Sequence, residues 1–152
     1  KQEFDLDFTI FRFFNTYGPK QSTDFVMSKF IEAALSDKDI TIYGDGSQTR
    51  TFCYVDDNVE ACLNAFYTHR FVNDVINVGN DHETSILELA QLIKKILNSK
   101  SNIVHLPALK EGDMTRRCPD IGKMKILLNR ELTPLEIGME RVIEVFRNKK
   151  KK

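Results

Sequence analysis

Apolar and polar positions follow two alternating rhythms along this chain. Phe8-Thr9-Ile10-Phe11-Arg12-Phe13-Phe14 is a β-rich run, apolar on both faces apart from Arg12. It predicts a strand inside a sheet covered on both sides, and Asn15-Thr16-Tyr17-Gly18-Pro19 ends it. A helix is predicted over Phe25 to Leu35, capped by Asp24, with Met27, Phe30, Ile31 and Ala34 at helical spacing. Short strands follow at Ile40 to Tyr43 and Thr51 to Val55, separated by a glycine turn that reads as a hairpin. Asp56 or Asp57 is expected to cap the next helix, whose apolar face is Val59, Cys62, Leu63 and Phe66. The run Val75 to Asn80 predicts a strand ending in a glycine turn. Ser85-Ile86-Leu87-Glu88 has capping-box spacing and opens a helix striped by Ile86, Leu89, Ala90, Ile93 and Leu97. Ile103 to Leu106 reads as another strand, and Glu111 to Asp120 as a polar loop. Asp120 then caps a short helix through Met124 and Leu128. Thr133-Pro134-Leu135-Glu136 starts the last helix, buried through Leu135, Met139, Val142, Ile143 and Phe146. Strands alternating with helices predict an α/β fold.

At 152 residues the chain is long enough for a compact domain with a real core. Equal numbers of basic and acidic residues, 22 each, remove any general attraction to nucleic acid or an anionic membrane. An anion bound here must be met by a few placed cations. The three cysteines are too scattered for a disulfide framework or a zinc site, so a reduced, cytoplasmic setting is expected. No apolar run approaches the length of a membrane span. The chain opens Lys-Gln-Glu and runs straight into a strand, the expectation for a piece of something longer.

Candidate chemistry concentrates in Tyr43-Gly44-Asp45-Gly46-Ser47-Gln48-Thr49-Arg50. Its glycines permit positive φ and the close approach of a ligand. Arg50, just beyond the turn, is placed to grip a phosphate through its planar fork. Arg116 and Arg117 form a second candidate for anion contact, and solvated surface arginines are the competing reading at both places. Asn15 lies past the carboxyl end of an apolar strand, where α/β folds put ligands. His69, His82 and His105 lack ligand-like spacing, and Cys62 reads as core packing on its apolar stripe.

Arg12-Phe13-Phe14-Asn15-Thr16-Tyr17-Gly18-Pro19, Tyr43 to Arg50, Tyr54-Val55-Asp56-Asp57, Asn77-Val78-Gly79-Asn80, Ile86 to Ala90 and Pro119-Asp120-Ile121 occur in that order. Together they resemble the carboxyl-terminal half of the extended short-chain dehydrogenases that modify nucleotide sugars: 4-epimerases, 4,6-dehydratases and UDP-glucuronate decarboxylases. Ser47-Gln48-Thr49-Arg50 and Arg117-Cys118-Pro119-Asp120-Ile121 are most similar to the decarboxylases. The resemblance implies the last strand or strands of a Rossmann-type parallel sheet over residues 1–17. It implies a small mixed α/β substrate-binding lobe over 18–148, with 149–152 a lysine tail. It also implies a UDP-sugar substrate contacted by Asn15, Thr41, Tyr43, Arg50 and Arg117. Thr41 to Tyr43 would line the nucleobase pocket, Arg50 would hold the diphosphate, and Arg117 would face the sugar or diphosphate.

In the family, NAD is held by an amino-terminal glycine-rich turn, and a Tyr-x-x-x-Lys pair acts on the sugar. This chain has neither pattern. The resemblance therefore implies a substrate-binding portion, inactive by itself, of a longer homodimeric enzyme, with NAD bound by the other half. UDP-glucuronate decarboxylase is the first reading, ahead of a 4-epimerase or 4,6-dehydratase and of a non-catalytic nucleotide-sugar binding module. Two departures from the decarboxylase pattern stand out. The segment Lys20 to Asp24 is short, and Asn129-Arg130 replaces the usual Gly-Trp, which implies altered packing.

Overall fold

A computed structural model describes residues 1–108 and 116–150, with side chains through residue 148. Strand β1 (Thr9–Phe13) runs parallel to β6 (Asp74–Val78), with Phe11 opposite Ile76. A two-residue strand β2 (Thr16–Tyr17) pairs in parallel with β5 (Cys53–Tyr54). Helix α1 (Val26–Ala34) leads into β3 (Ile40–Tyr43), which runs parallel to β8 (Ile103–Leu106). The remaining sheet has β4 (Thr49–Thr51) at its centre, between antiparallel β7 (Glu83–Ser85) and parallel β9 (Arg116–Arg117). Helices α2 (Val55–Thr68), α3 (Ile86–Leu97), α4 (Gly122–Leu128) and α5 (Leu135–Lys150) complete this α/β fold.

Among the described residues two apolar cores result. The larger gathers Met27, Phe30 and Ile31 of α1, Ile40 and Ile42 of β3, Leu89 and Ile93 of α3, and Met139, Val142 and Ile143 of α5. The expected stripes of α1, α3 and α5 are thus the buried ones, since each puts apolar residues three and four apart on one face. The smaller core packs Ala61 and Ala65 of α2 and Met124, Leu127 and Leu128 of α4 around Ile76 and Val78. Helix α3 carries the full capping box, with Glu88 N–H donating to the Ser85 hydroxyl at 3.1 Å and Ser85 N–H to the Glu88 carboxylate at 2.7 Å.

Several local expectations are corrected. Strands β3 and β4 form no hairpin with each other, because each is claimed by a partner distant in sequence. The glycine turn between them is nonetheless real. Gly44 and Gly46 have φ of 69° and 77°, and Asp45 accepts from the Ser47 N–H and hydroxyl. The turn docks on α3, where Leu87 N–H donates to the Gly46 carbonyl. Arg116 and Arg117, expected in a loop, form β9; residues 111–115 of that loop lie outside the described residues.

Asp24 does not cap α1. Phe25 holds the extended cap position, and Asp24 instead accepts from the Ser22 hydroxyl. Neither Asp56 nor Asp57 caps α2; Tyr54 stands there with no side-chain bond. Asp57 is buried and accepts from Arg130 Nη2 at 2.8 Å and from the Thr133 N–H and hydroxyl at 2.9 Å each. Thr133 therefore turns to α2, and Arg130 ties the entrance of α5 to that helix.

The predicted apolar face of α2 points outward. Val59, Leu63 and Phe66 are exposed and Cys62 is half-buried, whereas Asp57, Asn58, Ala61 and Ala65 are inside. Likewise β1 is not covered on both sides, since Ile10 and Phe13 are about half exposed. Helix α5 continues to Lys150, two residues into the lysine run.

Candidate functional site: a cleft between five strands and a helix

Alternation along β3 turns Ile40 and Ile42 into the core and leaves Thr41 and Tyr43 on the opposite, open face. That face forms part of a cleft of about 660 Å³, whose walls also include the ends of β1 and β2, helix α1, and strands β4 and β9. Asn15, Thr41, Tyr43, Arg50 and Arg117 all line it. Residues spread over a hundred positions of sequence are thus brought to one cavity.

Each is held by local chemistry. Asn15 takes a left-handed conformation, φ 41°, at the exit of β1, a conformation asparagine tolerates better than most residues. Its carbonyl accepts from Cys53 N–H at 3.2 Å, which fixes the turn. Its side-chain amide nitrogen is buried with no hydrogen-bond partner among the described residues. An orphaned buried donor is costly. Behind it, Asn58 accepts from the Cys53 thiol at 2.8 Å and donates to the Thr16 hydroxyl at 2.6 Å.

Arg50 and Arg117 are direct register partners on parallel strands β4 and β9. Neighbouring strands are about 4.8 Å apart, so both side chains leave the sheet on the same face, side by side. Arg50 Nη1 donates to the Thr49 carbonyl at 2.8 Å, and the Arg117 guanidinium lies over the Phe14 ring, 5.5 Å from its centroid. One residue earlier the situation reverses. Arg116 is gripped by Glu83, with Nε at 3.0 Å and Nη2 at 2.8 Å, and that contact lowers the Glu83 carboxyl below its ordinary range.

Other lining residues escaped the sequence reading. Gln21 donates to the Thr16 carbonyl at 2.8 Å, and Gln48 to the Tyr43 carbonyl at 3.2 Å. Lys29, Asp24 and Asp39 add charge near the α1 wall. Gln21 and Asp24 show that the short segment after Pro19 still reaches the cleft. Gln48 carried a signal, its place inside the glycine-turn motif; Lys29 and Asp39 carried none.

Tyr17 lines the cleft, but burial pushes its phenol well above its ordinary value, with smaller contributions from Cys53 and Asp57. Its hydroxyl donates to the Leu135 carbonyl at 3.4 Å. Burial, then Asp57, raises the Cys53 thiol to about 12, and burial raises Cys62 as well, so neither offers a thiolate at neutral pH. Among the described residues no group of three or more His, Cys, Asp or Glu could hold a metal ion, and no helix is long and apolar enough to cross a membrane. The described residues do not fit a dinucleotide either. The Gly44–Gly46 turn joins two strands, and none of the described strand-to-helix junctions is glycine-rich.

Known proteins give this cleft its context. Residues 1–79 match the NAD dependent epimerase/dehydratase family. The chain is 41% identical over 149 residues to UDP-glucuronic acid decarboxylase 1 of Danio rerio, covering 96% of this chain and 35% of that protein. It superposes on the crystal structure of UDP-glucose 4-epimerase with UDP-glucose from Thermotoga maritima with a TM-score of 0.88 and 34% identity, covering 97% of this chain and 48% of that one. UDP-glucuronic acid 4-epimerase from Bacillus cereus, in complex with UDP-glucuronic acid and NAD, gives a TM-score of 0.86 and 32% identity, covering 97% of this chain and 47% of that one. The chain thus spans between about a third and a half of the length of these relatives. Its ordered motifs, its α/β strand pairing and the match over residues 1–79 agree, and the chain belongs to the NAD-dependent epimerase/dehydratase family.

Proposed function

We propose that this chain is the nucleotide-sugar-binding portion of an NAD-dependent enzyme, and that the enzyme is a UDP-glucuronate decarboxylase releasing CO2 to give UDP-xylose. One observation carries the reading: Arg50 and Arg117 stand in register on one face of a sheet, at a cleft that Asn15, Thr41 and Tyr43 also line. Two guanidinium groups and an amide suit a diphosphate joined to a polar sugar. In this reading Arg50 holds the diphosphate, Asn15 meets the diphosphate or sugar, and Arg117 faces the sugar. Thr41 and Tyr43 flank the base.

The decarboxylase is preferred because the relative from Danio rerio bears that name at 41% identity. A 4-epimerase is the second reading, favoured by the epimerase structures that superpose on nearly the whole chain. In either case residues 1–17 complete the sheet of a cofactor domain, 18–148 form the substrate lobe, and NAD is held by residues outside this chain. The assembled enzyme is a cytoplasmic homodimer in this reading.

Calorimetric titration with UDP, UDP-glucuronate and dTDP-glucose tests it. Binding of the UDP compounds is expected, weakened at least about tenfold in Arg50→Ala, since a hydrogen bond to a charged group contributes about 1.5–3 kcal/mol. Unchanged affinity in Arg50→Ala would remove the diphosphate from that site. No binding by this chain or by a longer protein containing it would refute the reading. UDP-xylose and CO2 as products of the longer protein separate the decarboxylase from the epimerase.

A further inference from the structure

Resting on the reading of Arg117 as a substrate contact, we propose that Phe14 is a positioning residue: its ring is the platform that aims the Arg117 guanidinium into the cleft. Arg116 and Arg117 are adjacent in sequence and meet opposite fates. Arg116 commits Nε and Nη2 to the Glu83 carboxylate, which neutralises it and holds two of its donors. Arg117 lies over an aromatic ring, 5.5 Å from the centroid. A π face orients a guanidinium by its charge and consumes none of its five N–H groups, so the donors stay available to an anion.

The platform is itself built in. Phe14 follows β1 directly, and its N–H donates to the Val78 carbonyl at 2.9 Å, extending the β1–β6 ladder by one residue. Across the ladder stands Gly79. A Cβ there would come within 3.0 Å of the Phe14 Cβ and 3.1 Å of the Pro119 Cγ. The missing side chain lets Phe14 and Pro119 close together, and Pro119 is two residues beyond Arg117. Arg117 is thus placed from two sides, by its β4 register through the backbone and by Phe14 through the side chain.

The test is UDP-glucuronate titration of whichever form of the protein binds it, with thermal melts as a folding control. Phe14→Leu keeps apolar bulk and removes the π face; affinity is expected to fall about two- to fivefold, the range for an exposed cation–π contact. Pentafluorophenylalanine at position 14 keeps shape and inverts the ring's electrostatics. It should weaken binding similarly, and it carries the test if the leucine variant does not fold. Phe14→Tyr should bind as the unsubstituted protein does. In an Arg117→Ala background, Phe14→Leu should add nothing. A pentafluoro variant with unchanged affinity, or a Phe14→Leu effect as large without Arg117 as with it, overturns the proposal and leaves Arg117 in its role. Unchanged affinity in Arg117→Ala alone, or no binding at all, overturns the reading of Arg117 and this proposal with it.

Discussion

Removing the Asp57 carboxylate tests how the lobe is held together. Its side chain is 1% exposed and accepts three hydrogen bonds, two from Thr133 and one from Arg130. Asp57→Ala leaves the Thr133 N–H and hydroxyl without their acceptor and strips one partner from Arg130. Breaking a buried ion pair costs about 3–5 kcal/mol. Arg130 is 40% exposed and keeps Glu60, the largest cause of its raised pKa, so its share is reduced. Two orphaned Thr133 donors at about 1 kcal/mol or more each, plus the discounted charge pair, give a loss of about 3 kcal/mol. For a chain of this size that is a large part of the total stability. Urea denaturation followed by circular dichroism should show a lower midpoint with an unchanged slope. Asp57→Asn, which keeps the shape and one acceptor, should lose less. A loss under about 1 kcal/mol in the alanine variant would refute the view that this carboxylate ties α2 to α5.

The Glu83 contact with Arg116, and then with Thr49, holds that carboxyl below its ordinary range. A lowered folded-state value stabilises above the unfolded value and the gain disappears as pH falls through the folded one. Between pH ~5 and ~3 the urea midpoint of the unsubstituted protein should therefore fall more steeply than that of Glu83→Gln, and parallel curves would exclude the mechanism. The exposed faces of β1 and α2, including Ile10 at 49%, Phe13 at 53% and Phe66 at 71%, should make the isolated chain self-associate. Sedimentation velocity should show concentration-dependent species above the monomer, and a clean monomer at high concentration would contradict this.

Much of the fold could be read from the chain because the information was local. Ser85 and Glu88 are three residues apart and cap α3 without reference to anything distant. The stripes of α1, α3 and α5 repeat at helical spacing and are the buried faces found. The five candidate site residues could be proposed because ordered motifs carried them, and the structure gathers them into one cleft. What failed was whatever depended on which partner arrives. Periodicity marks Val59, Leu63 and Phe66 as one face of α2, but covering a face requires a neighbour, and the described neighbours cover Asp57, Asn58, Ala61 and Ala65 instead. A glycine turn between two β runs implies a hairpin until β8, β7 and β9 compete for those edges. Asp57 was a cap candidate by local rules; Arg130 and Thr133, more than 70 residues away, made it a buried anchor. The same distinction separates Arg116 from Arg117. As a sequence they are two adjacent cations, and only long-range pairing decided that Glu83 neutralises the first while Phe14 and the Arg50 strand turn the second toward the cleft. Capping and periodicity are properties of a few successive residues and survive in any context. Burial, strand partnership and the fate of a charge are properties of what lies opposite, which only the tertiary structure supplies.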